Sequence, residues 1–282
     1  MEHMNMDEGT INDDNNICFD DMDVKVGDIV NDVICTKICV ISCIFGTKFR
    51  RLYPAVNRSK YRCKYESNYN SNINNDDNCD CYLFTNNCGI QREVIRKGWT
   101  YIYVDDELTS DIVISSNQSK KVKFLQYLSL IPNYKQYREV IYVDHKFKLE
   151  SSHIDRLLEL KTLPILIRTT PMVKLSVWTE HEISMSQPRY KQFESCTVKF
   201  IEDKLQDPDY KYVENIRICN TGLIIYDTYD QRVIKFTNLM YQNLQLVGTP
   251  ECQVIWAMVC QPYQNIIQTI DFNTVSILWK CP

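Results

Sequence analysis

Residues 119–149, "SKKVKFLQYLSLIPNYKQYREVIYVDHKFKL", decide the fold. In the first half, Phe124, Tyr127, Leu128 and Ile131 fall at i, i+3, i+4 and i+7, an apolar helix face closed by Pro132. The second half contains "EVIYVD" (139–144), which has the length and the Ile, Val and Tyr content of a strand. With "TYIYV" (100–104) upstream, the order is strand, helix, strand. The strand pattern runs straight into Asp144, a charge that is costly to bury unless it is paired or faces a cleft. Asp144 is therefore expected at the carboxyl end of a central strand facing a ligand. The alternative is half of a buried ion pair, with Lys123 as the candidate partner.

The same alternation extends in both directions. "ICVISCIF" (38–45), "CYLFT" (81–85) and "PILIR" (164–168) are further strands. A second helix is expected after Asp144, with Ser152 as N-cap, Asp155 three residues on, and Ile154, Leu157 and Leu158 inward. Past residue 190, "YKQFESCTVKFIEDKL" reads as a helix with Phe193, Thr197, Phe200 and Ile201 on one face, and a strand pair follows around "IRICNTGLIIYD". "TPECQVIWAMVC" (249–260) is expected to start a helix with Thr249 as N-cap and Pro250 at its first position. The class is α/β, a mostly parallel central sheet with helices on both faces, in a single domain spanning 33–282. No internal repeat is visible. The asparagine-rich stretch 64–80 reads as a loop insertion between the first two strands, and residues 1–32 as an acidic, mobile tail.

Composition bounds the function. A chain of 282 residues, 44% hydrophobic and 24% charged, is long enough to bury a full core. The longest apolar run, "CVISCIF", is too short to span a bilayer and no signal-peptide pattern opens the sequence, so a cytoplasmic location is expected. With a net charge of −4 and no basic arm, nucleic acid is not an expected partner. The cysteines are odd in number (13) and scattered through apolar patterns, as reduced core thiols would be. Cys63, Cys79, Cys81 and Cys88 are close enough in sequence to consider zinc, but a C-x-C with a six-residue gap lacks paired C-x-x-C spacing.

In open α/β sheets, ligands bind outside the carboxyl ends of the strands, which is where Asp144 is expected. The sequence has no Walker loop, no G-x-G-x-x-G and no G-x-S-x-G, and only seven glycines. A bound diphosphate would thus be held by side chains, with or without a cation.

"CVISCIFG", then "CYLFTNN", then "KVKFLQYLSLIPNYKQYREVIYVDHKFKL" resembles the glycosyltransferase-like family of plant Golgi mucilage and pollen-tube proteins and bacterial polysaccharide loci, whose members are similar to the GT-A, Rossmann-like fold. In that family a first strand ends in phenylalanine-glycine and a second in a Phe-Thr-Asp-Asn type of turn. A lysine-leucine helix then leads to proline and an Ile-Asp-x-Lys strand end. "SVWTEHE", "NTGLII" and "ECQVIWA" match its later segments more loosely, and the resemblance spans about residues 38–275. It implies a transferase that moves a sugar from a nucleotide-sugar donor, expected to be a UDP-sugar, to a hydroxyl of a glycan or glycoprotein acceptor. It implies Phe45 and Gly46 at the nucleotide end, Asn86 and Asn87 flanking base or ribose, and Lys123 approaching the donor. Asp144 would take the first position of a D-x-D motif, Glu180 and Glu182 the place of paired acids, and Gln253 and Trp178 the acceptor side. The chain departs from the family at Cys252, which replaces an aspartate, and at His181, which separates the two glutamates.

A departing nucleoside diphosphate develops negative charge that must be neutralised, commonly by a divalent ion on carboxylates. Here the second D-x-D position is Lys146, whose ammonium can supply that charge, so assistance from Mn2+ or Mg2+ at Asp144 is expected to be weak or absent. The opposing reading makes Lys146 a solvated lysine and gives a metal further ligands elsewhere. Glu180 or Glu182 would serve as general base towards the acceptor, unless Glu180 merely pairs with Lys174 or Arg189. His145 and His153, near the strand end, read as solvated. The rival function is a non-catalytic glycan- or nucleotide-binding module descended from such a domain.

Overall fold

A computed structural model describes residues 37–48, 51–56, 79–172 and 176–279. Seven strands form one sheet: β1 (Lys37–Cys43), β2 (Cys79–Thr85), β3 (Thr100–Tyr103), β4 (Tyr137–Val143), β6 (Ile165–Thr169), β7 (Cys219–Asp227) and β8 (Ile267–Ile270). Two short strands, β5 (Phe147–Lys148) and β9 (Leu278–Trp279), pair antiparallel outside it. The sheet order is β3-β2-β1-β4-β7-β6-β8, with β7 antiparallel to both neighbours and every other pairing parallel.

The strands read as near-continuous apolar runs because helices cover both faces. Alternate residues feed two cores. Ile41, Cys43, Val140, Tyr142, Ile224 and Tyr226 pack on one face with α7 (Gln231–Val247) and α8 (Gln253–Val259). Ile38, Val40, Ile141, Val143, Leu223 and Ile225 pack on the other with α1 (Gln91–Arg96) and α3 (Ser151–Leu160). The expected α/β class, mostly parallel sheet and two-faced helix cover all hold. The five strands read from sequence lie within two residues of their observed bounds.

Four local expectations are corrected. The helix read over 119–132 is α2 (Ile112–Lys123), capped by the Asp111 carboxylate on the N–H groups of Val113 and Ile114. Phe124, Leu128 and Ile131 are buried as expected, but Phe124 from the C-cap of α2 and the other two from a 3-10 segment and its end, beyond a left-handed Leu125 (φ 61°). α3 opens at Ser151 with Glu150 as its cap, in a reciprocal box with His153 rather than from Ser152. "IRICNTGLIIYD" makes one strand, β7, because it pairs with β4 and β6 instead of folding on itself. α8 begins after Thr249 and Pro250, since the Glu251 carboxylate, not the Thr249 hydroxyl, accepts the N–H groups of Gln253 and Val254 (2.8 and 2.9 Å).

The tail at 1–32, Cys63, Lys174 and nearly all of 64–80 lie outside the described residues. No helix among the described residues is long and apolar enough to cross a membrane.

Candidate functional site

β1 pairs in parallel with both β2 and β4. From β1 the chain moves outward to β2 and β3, then returns to β4 on the other side of β1. The connections after β1 and β4 thus leave in opposite directions and open a crevice at their carboxyl ends. A cavity of about 940 Å³ lies there, lined by Phe45 after β1 and Asp144 after β4. Because β7 runs antiparallel, its first residues, Asn220, Thr221 and Gly222, meet the same cavity.

The acid at the end of β4 is positioned by strand geometry. Residues i and i+2 share a sheet face, so Tyr142 and Asp144 point the same way. The Tyr142 hydroxyl donates to Asp144 Oδ1 at 2.5 Å, and the Asp144 N–H donates to the Gly222 carbonyl at 2.8 Å. α2 packs over this face and aims Lys120 and Lys123 into the cavity; both are buried, at 9% and 4% exposure. Lys123 Nζ lies 3.7 Å from Asp144 Oδ1, 3.3 Å from Thr221 Oγ1 and 3.9 Å from Cys252 Sγ. Burial would raise the Asp144 carboxyl, but Lys123, Lys146, the Tyr142 hydroxyl and Lys120 outweigh it and bring it down to about 2. Asp144 is therefore ionised at any working pH. Burial likewise works against charge on Lys120, but Cys252, Asp144 and Glu251 more than offset it and raise that ammonium.

A second group of residues enters from α4 (Val177–Met185) and α8. Glu180 and Ser184, four apart on one helix face, both line the cavity. Glu180 is 2% exposed; its Oε1 accepts the Gln253 amide at 2.5 Å and the Ser184 hydroxyl at 3.3 Å. Glu251 is buried nearby, and burial first, then Glu180, raises its carboxyl against the two helix N–H bonds that favour the charge.

The structure brings Phe45, Lys123, Asp144, Lys146, Glu180 and Gln253 to one cavity, with His145 beside them. It places other expected site residues elsewhere. Asn86 and Asn87 do not line the cavity: Asn86 Oδ1 accepts the Gly46 N–H (3.0 Å) while its amide donates to the Glu107 carbonyl and to Gln118, and the Asn87 amide donates to the Gly46 carbonyl. They brace the turn at Gly46, whose φ of +89° suits glycine. Gly46 itself underlies the wall instead of lining it. Glu182 is exposed on the opposite side of α4 from Glu180, and Trp178 packs edge-on against His181 outside the cavity. Glu180 is buried, and Lys174, one of its two expected partners, lies outside the described residues. His153 belongs to the α3 cap. Lys120, Thr221, Glu251 and Tyr190 are cavity residues that the sequence reading missed.

A divalent cation fits this donor set poorly. Asp144 Oδ1 already holds a hydroxyl proton and faces an ammonium, and no three His, Cys, Asp or Glu side chains gather as a metal site among the described residues.

Gly222 fixes the wall opposite α2. A Cβ there would sit 2.5 Å from Phe147 Cε2, 2.9 Å from Asn220 Oδ1 and 3.0 Å from Asp144 Oδ2. Phe147 is buried beside the Arg168 guanidinium and cannot swing away cheaply. Gly222→Ala is expected to cost about 1–3 kcal/mol, as overpacking does, and to displace Asp144. Urea denaturation measures the first effect and ligand affinity the second; wild-type values for both would show that the wall yields.

No protein-family model matches the chain, and no curated protein matches it. Three similar solved structures are transferases or synthetases. The mannosyltransferase Ktr4p of S. cerevisiae is 10% identical with a TM-score of 0.40, the match covering 90% of this chain and 74% of that one. Mouse xyloside xylosyltransferase 1 is 9% identical with a TM-score of 0.40, covering 84% and 85%. A CMP:2-keto-3-deoxy-manno-octonic acid synthetase solved with CTP is 9% identical with a TM-score of 0.41, covering 84% and 90%.

Proposed function

We propose that the protein transfers a sugar from a nucleotide-sugar donor, a UDP-sugar in the first instance, to a hydroxyl of a glycan or glycoprotein acceptor. One observation carries this reading: a large cleft at the sheet's switch point has an ionised strand-end aspartate and buried lysines on one side and a buried glutamate on the other.

Such a division suits glycosyl transfer. The acceptor oxygen attacks the anomeric carbon, the bond from that carbon to the diphosphate oxygen breaks, and the diphosphate leaves with the electron pair. Lysine ammonium groups at the cleft meet the charge that develops on it. Asp144 orients Lys123 and accepts from ribose hydroxyls. Glu180, held by Gln253 and Ser184, takes the acceptor proton as general base. Lys146 adds positive charge at the same site, as its effect on the Asp144 carboxyl indicates. Mn2+ or Mg2+ assistance is weak or absent in this scheme.

The test is a melting series followed by a turnover assay. A ligand that binds only the folded state at about 100 times its Kd adds about 2.7 kcal/mol. UDP or a UDP-sugar is expected to raise Tm more than ATP or NAD does, and release of UDP in the presence of acceptor is expected to persist in EDTA. Lys146→Ala should weaken UDP binding. Equal, negligible shifts with all nucleotides would replace the transferase by the non-catalytic module.

A further inference from the structure

The two buried lysines of α2 face an open cleft with no carboxylate in tight contact with either ammonium. Buried ammonium groups are ordinarily paired, because the cost of dehydrating an isolated charge is large. Lys123 has one carboxylate, Asp144, at 3.7 Å, longer than a tight charge-assisted hydrogen bond. Lys120 makes no ion pair among the described residues, although Cys252, Asp144 and Glu251 together favour its charge. The other acid on this side, Glu251, already uses both oxygens on the N–H groups that start α8. Two like charges therefore stand side by side on the wall of an open cleft, the nearest carboxylate oxygen 3.7 Å from Lys123.

We propose that Lys120 and Lys123 together form the diphosphate site of the cleft, two ammonium groups standing where a divalent cation would otherwise neutralise the phosphates. The pair is built by the helix, since residues three apart lie on one face. Ser116 lines the cleft from the same helix and offers a hydroxyl donor to the anion, whereas the Ser115 and Ser119 hydroxyls donate to the carbonyls of Asp111 and Ser116. An arriving diphosphate relieves the repulsion between the two ammonium groups and supplies anionic oxygens in close contact with both. Asp144 keeps Lys123 aimed without neutralising it, which explains why a carboxylate and a lysine meet at this loose distance. As an account of donor binding the inference rests on the transferase reading; as an account of anion binding it does not.

Isothermal titration of the full chain with UDP and with inorganic pyrophosphate, each in EDTA and in MnCl2, tests the site. Both ligands are expected to bind wild type in EDTA with a Kd within about threefold of that in Mn2+. Lys120→Met and Lys123→Met are each expected to weaken both ligands at least tenfold, while Lys120→Arg stays within about threefold of wild type. Lys120→Met removes a charge that the surrounding negative groups favour in the folded state, so its apo Tm is expected to fall somewhat below that of wild type, and affinities are compared between folded proteins. Should it fail to fold, Lys120→Gln and the salt dependence of pyrophosphate binding to wild type carry the same test. Binding that requires Mn2+, or wild-type affinity in folded Lys120→Met or Lys120→Gln, overturns the inference and leaves the transferase reading standing. Tight pyrophosphate binding lost in Lys120→Met, with no nucleotide-sugar turned over, supports the anion site and overturns the transferase reading instead.

Discussion

Asp144→Asn is expected to lower transfer by on the order of 10²-fold, the loss typical of misplacing groups around the reacting centre, because Lys123 and the ribose hydroxyls lose the carboxylate that positions them. The substitution keeps the shape of the strand end and an acceptor for the Tyr142 hydroxyl, so the effect isolates the charge. It is also expected to lower apo stability by about 2 kcal/mol at neutral pH. That magnitude follows from the carboxyl's displacement from 3.8 to about 2 in the folded protein. The sequence reading sets a functional charge against a structural ion pair; the structure joins the two, because Lys123 pairs with Asp144 inside the cleft. The pH dependence has a definite sign. A carboxyl lowered on folding stabilises fully above its unfolded value, near 4, and loses that contribution as pH falls through about 2. Urea denaturation of wild type and variant should therefore differ at pH 7 and converge towards pH 2. UDP should shift the variant's Tm less, since ribose hydroxyls lose their acceptor. Pyrophosphate, which has no ribose, should bind as well or better once a competing carboxylate is gone. A destabilised variant that retains wild-type turnover per folded molecule would reduce Asp144 to a structural residue.

What sequence made legible follows from which residues carry apolar information. Strands buried on both faces announce themselves as Ile, Val, Tyr and Cys runs, and Asp144 stands out because it ends such a run. α2 was misplaced for the opposite reason. One of its faces lines the cleft, so "SSNQSKK" is polar where a helix packed only on a core would be apolar, and the apolar residues that suggested a helix come after its end. Lys120 was invisible for the same cause: a lysine in a polar run looks solvated until the sheet beside it is known. Asn86 misled differently. Its side chain suits a ligand, yet its oxygen and both amide protons are taken up by Gly46, Glu107 and Gln118, contacts separated by 21 to 40 residues that no local pattern encodes. The exposure of Glu182 was readable in principle. Residues two apart on a helix face different ways, so Glu180 and Glu182 could not both enter one cleft from α4.

Glu180→Gln is expected to reduce kcat by about 10²–10⁴-fold while leaving the UDP-induced Tm shift intact, the result due to a general base that acts on the acceptor and not on the donor. Glutamine keeps the side chain's length and one carbonyl acceptor for the Gln253 amide and the Ser184 hydroxyl, so local packing survives. Removing the carboxylate also relieves its repulsion of Glu251. The control is Glu182→Gln, on the exposed side of the same helix, expected to stay within about twofold of wild type in every measurement. Steady-state kinetics over donor and acceptor concentrations separate the possibilities. A lower kcat with donor KM unchanged fits proton removal in the transition state. A loss confined to acceptor KM would make Glu180 a binding contact for the acceptor. Loss of UDP affinity would move it to the donor side, where Lys120 and Lys123 already supply the charge a diphosphate needs and a second buried carboxylate would only oppose it.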